Sequence, residues 1–133
     1  NSPLMPKDGW ERAMALQWLM FANASLHPAY GRTMWLNRNM QEGQIRDEAI
    51  AEARRQIQLM WDEVEMHLTE QGTAYVAGDS VTAADILLAV IANWSPQNYK
   101  FGPKVSGLIK SVTARPAFQK ALEAERVEYK AAA

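Results

Sequence analysis

The stretch Gly78 to Trp94, GDSVTAADILLAVIANW, constrains the fold more tightly than any other part of the chain. Between Ile86 and Trp94 only Asn93 is polar, so a helix here is apolar on every side and has to be wrapped by other elements. The backbone donors of its first turn then open into the interior, where each unsatisfied group costs about 1–3 kcal/mol. Thr82-Ala83-Ala84-Asp85 supplies what those donors need. As a capping box, the Thr82 hydroxyl accepts from the N–H of Asp85, and the Asp85 carboxylate accepts from the N–H of Thr82. Val81 falls just before the cap and Ile86 one residue past the box, the two positions of a hydrophobic staple. Capping accounts for Asp85 without a catalytic role; a catalytic acid is the alternative reading.

A buried helix needs neighbours, and the rest of the chain reads as helical, with no convincing strand. SPLMPKDG has two prolines and no period, and reads as an extended lead-in. Asp8 and Glu11 have capping-box spacing and open a helix from about Gly9 to Leu36, which Pro28 is expected to bend. Trp18, Leu19, Met20 and Phe21 surround one of its turns, which implies contact on more than one side. A second helix, about Gln44 to Glu70, aligns Ala49, Ala53, Ile57, Met60, Val64 and Leu68 on one stripe. Gly72 and Gly78 then break the helical pattern. Pro103 opens a helix carrying Val105, Leu108, Ile109 and Val112, and Pro116 opens a last one. The expected fold is all-α, a bundle of about five helices.

The chemistry of the chain excludes several function classes. A formal net charge of -1 leaves no electrostatic footprint for nucleic acid or an anionic membrane. There are no cysteines, hence no disulfide, zinc thiolate or cysteine nucleophile within the chain. His27 and His67 are far apart in sequence, so no metal site is expected, and no phosphate-cradling loop or nucleophile elbow appears. Asp62, Glu63, Glu65 and Glu70 are expected on a solvated helix face, as is His67. No apolar run approaches the ~20 residues a bilayer requires, so a cytoplasmic setting is expected.

The ordered motifs resemble a known family. GDSVTAADILLAVIANW, with YVAGD before it, is similar to the box-and-staple helix of the glutathione transferase C-terminal domain. PKVSGLIKSVTARPAFQKALEAE resembles that domain's closing helices, and LQWLMFANASLHPAY its first long helix, most like bacterial, beta-class members. Together these span Lys7 to Glu125. The resemblance implies a lead-in at residues 1–8 that is the remnant of an interdomain linker, and a helical domain at residues 9–130. It also implies a thioredoxin-like N-terminal domain, absent from this chain, that holds the catalytic Ser, Tyr or Cys. Asn1 in place of Met and the closing Ala131 to Ala133, read as a tag or tail, fit a piece of a longer product.

The same resemblance nominates site residues. His27, in SLHPAY, matches a histidine that faces glutathione from the helical domain, although Pro28 stands where the family has lysine. A half-buried polar role is the alternative. Tyr30, Met34 and Trp94 would line the electrophile pocket, with core or dimer packing as their alternative. Trp10, Trp18 and Trp61 are assigned to packing or interfaces. No catalytic residue is expected in the chain itself. The implied function is the electrophile-binding half of a homodimeric glutathione transferase, with glutathione as cosubstrate and apolar electrophiles as partners. A non-catalytic interaction or dimerisation module is the alternative.

Overall fold

The computed structural model describes residues 4–125. The first three residues of the expected linker and everything from 126 onward, including Ala131 to Ala133, lie outside the described residues. Six α-helices are present among them: α1 (Gly9–Phe21), α2 (His27–Asn39), α3 (Gln44–Gln71), α4 (Ala83–Ala92), α5 (Pro103–Thr113) and α6 (Pro116–Glu125). A π-helical turn, Ala22–Leu26, joins α1 to α2 without a break, so five rods make up the bundle. No strand forms among the described residues; Tyr75 and Gly78 make one isolated bridge.

Just before Pro28, where the sequence suggests a bend, the rod carries this π turn. Proline lacks an N–H, and its ring collides with the carbonyl four residues back in a regular helix. The wider turn relieves that conflict: the N–H of His27 reaches the carbonyl of Ala22, one residue further than an α-helix allows. Pro28 then sits in the first turn of α2, where a missing donor is harmless. The expected capping box at Asp8 does not form, since its side chain makes no cap bond. The lead-in is held in other ways. Arg12 Nη1 donates to the carbonyl of Pro6 at 2.9 Å, and the carbonyl of Leu4 accepts from the N–H of Ala83 at 2.8 Å.

Helix α4 is the centre. It packs on α1 and α5, while α3 packs on α2 and α5. Ala84, Leu88, Ala89, Ile91 and Ala92 are all fully buried. On α3 the buried stripe is Ile50, Ala53, Ile57, Trp61, Val64 and Leu68. It differs from expectation at two positions, since Ile50 and Trp61 are buried while Ala49 and Met60 are only half-buried. Larger side chains gain more from leaving water, and the helix turns to favour them. Gly72 ends α3 in the left-handed region (φ 69°), a conformation glycine adopts without steric cost.

Candidate functional site

The two ends of α4 hold the features that matter for function. At the start, both halves of the capping box form between Thr82 and Asp85. The N–H of Thr82 donates to Asp85 Oδ2 at 2.7 Å, and the Thr82 hydroxyl donates to the same oxygen at 2.7 Å. Asp85 Oδ1 accepts a further bond, at 2.9 Å, from the N–H of Val76 in the preceding loop. Val81 belongs to the core and Ile86 packs against it, as a staple arranges them. Burial pushes the Asp85 carboxyl up, while the donors from Val76 and Thr82 pull against it. Every oxygen of this acid is engaged in holding backbone.

At the other end, Trp94 comes just after the last turn of α4 and meets α2. Its ring lies edge-on to the His27 imidazole, centroids 4.8 Å apart, and to the Tyr30 phenol, 5.8 Å apart. The structure brings His27, Met34 and Trp94 together around one cleft of about 390 Å³, which Gly31 also lines. Met34 and Trp94 are 46% and 41% exposed, so both present apolar surface to the cleft. Tyr30 points the other way. It is buried, contacts Tyr99 at 5.1 Å and accepts a hydrogen bond from Trp61 Nε1 at 2.9 Å. Tyr30 therefore backs the Trp94 wall instead of lining the cleft.

Gly31 is the cleft residue that sequence reasoning missed. A Cβ there would meet nothing within 4 Å, so the glycine leaves the space open. Its spacing four residues past His27, one helical turn, was the available signal. The cleft holds an imidazole, a thioether and an indole, with no hydroxyl, thiol or carboxylate among its lining side chains. Such a surface can bind and orient an apolar molecule next to one hydrogen-bonding ring. Among the described residues no three His, Asp or Glu side chains are placed to hold a metal ion.

Two expectations of solvated residues are corrected. His67 is half-buried, its ring 4.5 Å from that of Trp18, and its Nε2 lies 2.8 Å from the carbonyl of Val76. Against a carbonyl acceptor that nitrogen has to carry the proton. Val76 is thus held at both ends, by His67 and by Asp85. Glu65 also has a structural task. Its carboxylate accepts from the N–H groups of Lys104 (3.0 Å) and Val105 (2.8 Å), capping α5 from a distant helix. Both partners lie too far along the chain for local sequence patterns to show them.

A sequence profile of the family described as "Glutathione S-transferase, C-terminal domain" matches residues 47–123, more than half of the chain. The chain belongs to the glutathione S-transferase C-terminal domain family. The relatives agree with that assignment. Glutathione S-transferase GST-4.5 of Xanthomonas campestris is 32% identical over 120 residues, 86% of this chain and 56% of the relative. The chain thus spans about half the length of that relative. The solved glutathione S-transferase from Xylella fastidiosa superposes with a TM-score of 0.77 at 23% identity, covering 88% of this chain and 57% of that one. Ure2p in complex with glutathione superposes with a TM-score of 0.79 at 20% identity, covering 92% and 58%. These two share the all-α fold of the family's helical domain. No helix among the described residues is long and apolar enough to cross a membrane.

Proposed function

We propose that this chain is the electrophile-binding half of a glutathione transferase of bacterial, beta-like type. In this reading the cleft of His27, Gly31, Met34 and Trp94 receives an apolar electrophile, and His27 stands toward the glutathione. A thioredoxin-like domain supplies most glutathione contacts and the residue that activates the thiol. The helical half contributes binding and orientation, which lower the barrier by holding the reactants in place rather than by moving protons. The observation that carries the reading is the cleft itself. Two large apolar side chains stay exposed there around a glycine-made gap, beside an imidazole at 4.8 Å. A methionine and an indole suit varied apolar shapes, because one is flexible and the other flat.

The reading extends to a cytoplasmic homodimer. Leu16 and Met20 on α1, with Leu59 and Met66 on α3, are exposed apolar side chains that a second subunit could cover. The test is steady-state kinetics of the full-length gene product with glutathione and chlorodinitrobenzene. Met34→Ala is expected to raise KM for the electrophile by about fivefold or more and to leave KM for glutathione within about twofold. Equal KM values for the electrophile in both proteins would overturn the assignment of the cleft. Failure to bind glutathione at all would favour the interaction-module reading.

A further inference from the structure

A second cleft, of about 670 Å³, lies between α3 and the segment leading into α5. Arg54, Arg55, Gln58 and Asp62 line it from α3, and Asn98 and Lys100 from the facing segment. Its size is that of a small-molecule site. Gln58 fixes its shape, because the side-chain amide pairs with both backbone groups of Lys100. Nε2 donates to the carbonyl at 2.8 Å, and Oε1 accepts from the N–H at 2.9 Å. The same Nε2 donates to Asp62 Oδ1 at 2.8 Å. The cleft is therefore built, with a segment 42 residues away in sequence held against the helix.

The charges in this cleft do not balance locally. Arg55 is bound by Glu52 in a two-pronged pair at 2.8 and 2.9 Å, and the Glu65 carboxylate beside Gly102 is taken up by the N–H groups of Lys104 and Val105. This leaves Asp62 as the one acid among the lining residues for Arg54 and Lys100. Arg54 is half-buried, and its Nε is shut off from solvent with no hydrogen-bond partner. Arg46 also has an Nε without a hydrogen bond, but Glu42 and Asp47 lie 3.5 Å from its guanidinium. Arg54 has no carboxylate within ion-pair distance among the described residues. A half-buried guanidinium with no carboxylate beside it is poorly compensated, and an anion held by the part of Arg54 that lines the cleft would offset that cost. The buried Tyr99 phenol feels the Arg54 charge, which works against the upward push of burial. Asn98 adds an amide with donors and an acceptor to the rim.

We propose that this cleft is a small-anion site, in which Arg54 and Lys100 hold a carboxylate or phosphate group of a small molecule. It is separate from the His27 cleft and does not rest on the electrophile reading.

The test is a titration of the 15N-labelled chain with sodium phosphate and, separately, with sodium citrate, each against sodium chloride at matched ionic strength. Saturable shifts are expected at the Arg54 Nε–H and at the Asn98 to Gly102 amides with at least one of the two probes. Preference for phosphate would assign a phosphoryl ligand, and preference for citrate a carboxylate. Arg54→Gln should weaken binding on the order of tenfold or more, the scale of one charge-assisted hydrogen bond. Lys100→Gln changes an exposed side chain and should weaken it too, in a protein whose fold is undisturbed. Shifts that never saturate with either probe would overturn the proposal. So would an unchanged affinity in both Lys100→Gln and a folded Arg54→Gln.

Discussion

At the start of α4 a fully buried carboxylate accepts three hydrogen bonds from Val76 and Thr82. At its far end an indole stands 41% exposed, touching the rings of His27 and Tyr30. One ten-residue helix joins the two. The first end converts sequence into stability, since every polar atom there satisfies another that burial would otherwise strand. The second leaves apolar surface in water, where it contributes little to folding and remains available to a ligand. A helix buried along its length can hold such an exposed end rigidly, because its position is set by the core and not by the cleft.

The largest expected effect breaks the capping end. Asp85→Ala removes the acceptor of two buried backbone N–H groups and of the Thr82 hydroxyl, and should destabilise the chain by about 3–5 kcal/mol. Urea unfolding measures it; a loss under about 1 kcal/mol would show that the knot does not hold α4. A smaller effect sharpens the contrast through the other buried cap. Gly102 has ordinary backbone angles, yet a Cβ there would strike the Glu65 carboxyl. Gly102→Ala should therefore expel that carboxylate from the start of α5 and cost about 1–2 kcal/mol, the scale of a lost helix cap. Glu65→Ala in the same background should then add little, and an additive loss would place the glycine's importance elsewhere. Trp94→Ala, at the exposed end, should cost only about 1 kcal/mol. Fully buried tryptophans cost ~3–5 kcal/mol on the same truncation. A loss as large as that of Asp85→Ala would make the indole a core residue.

Legibility in the sequence divides along the same line. Thr82 and Asp85 are three residues apart, so their interaction is written locally and can be read as spacing. The third bond to Asp85, from Val76, could not be read this way, because it depends on how the loop from Thr73 to Val81 folds back. Glu65 looked like one acid among several on a solvated face, and only the arrival of α5 some 40 residues later gives it a task. Pro28 signalled a disturbance, but that it takes the form of a π turn depends on packing on both sides of the rod. That form matters for the candidate site. The extra residue in the turn rotates the remainder of the rod by about 100°, the angular step of one helical residue. This sets His27, Gly31 and Met34 toward Trp94 and turns Tyr30 inward. His27, Met34 and Trp94 were nominated through resemblance to a family, since nothing local in their spacing brings α2 to the end of α4.

The smallest expected effect separates the two ends by pH. Burial raises the Asp85 carboxyl above its ordinary value, so between that value, about 3.9, and the raised one the folded chain holds more protons than the unfolded chain. Stability contributed by this group therefore falls as pH rises through that window and is level above it. It is the opposite sign to that of a carboxylate stabilised by a surface cation, such as Glu52, which Arg55 and Gln56 hold down to about 2. Paired urea titrations across the acid range should show the falling component in the parent chain and in Trp94→Ala. It should be missing in Asp85→Asn, which keeps the shape but cannot titrate. If the parent chain gains stability relative to Asp85→Asn as pH rises through the window, the three donors outweigh burial. The acid is then held as a carboxylate more firmly in the folded chain than in water.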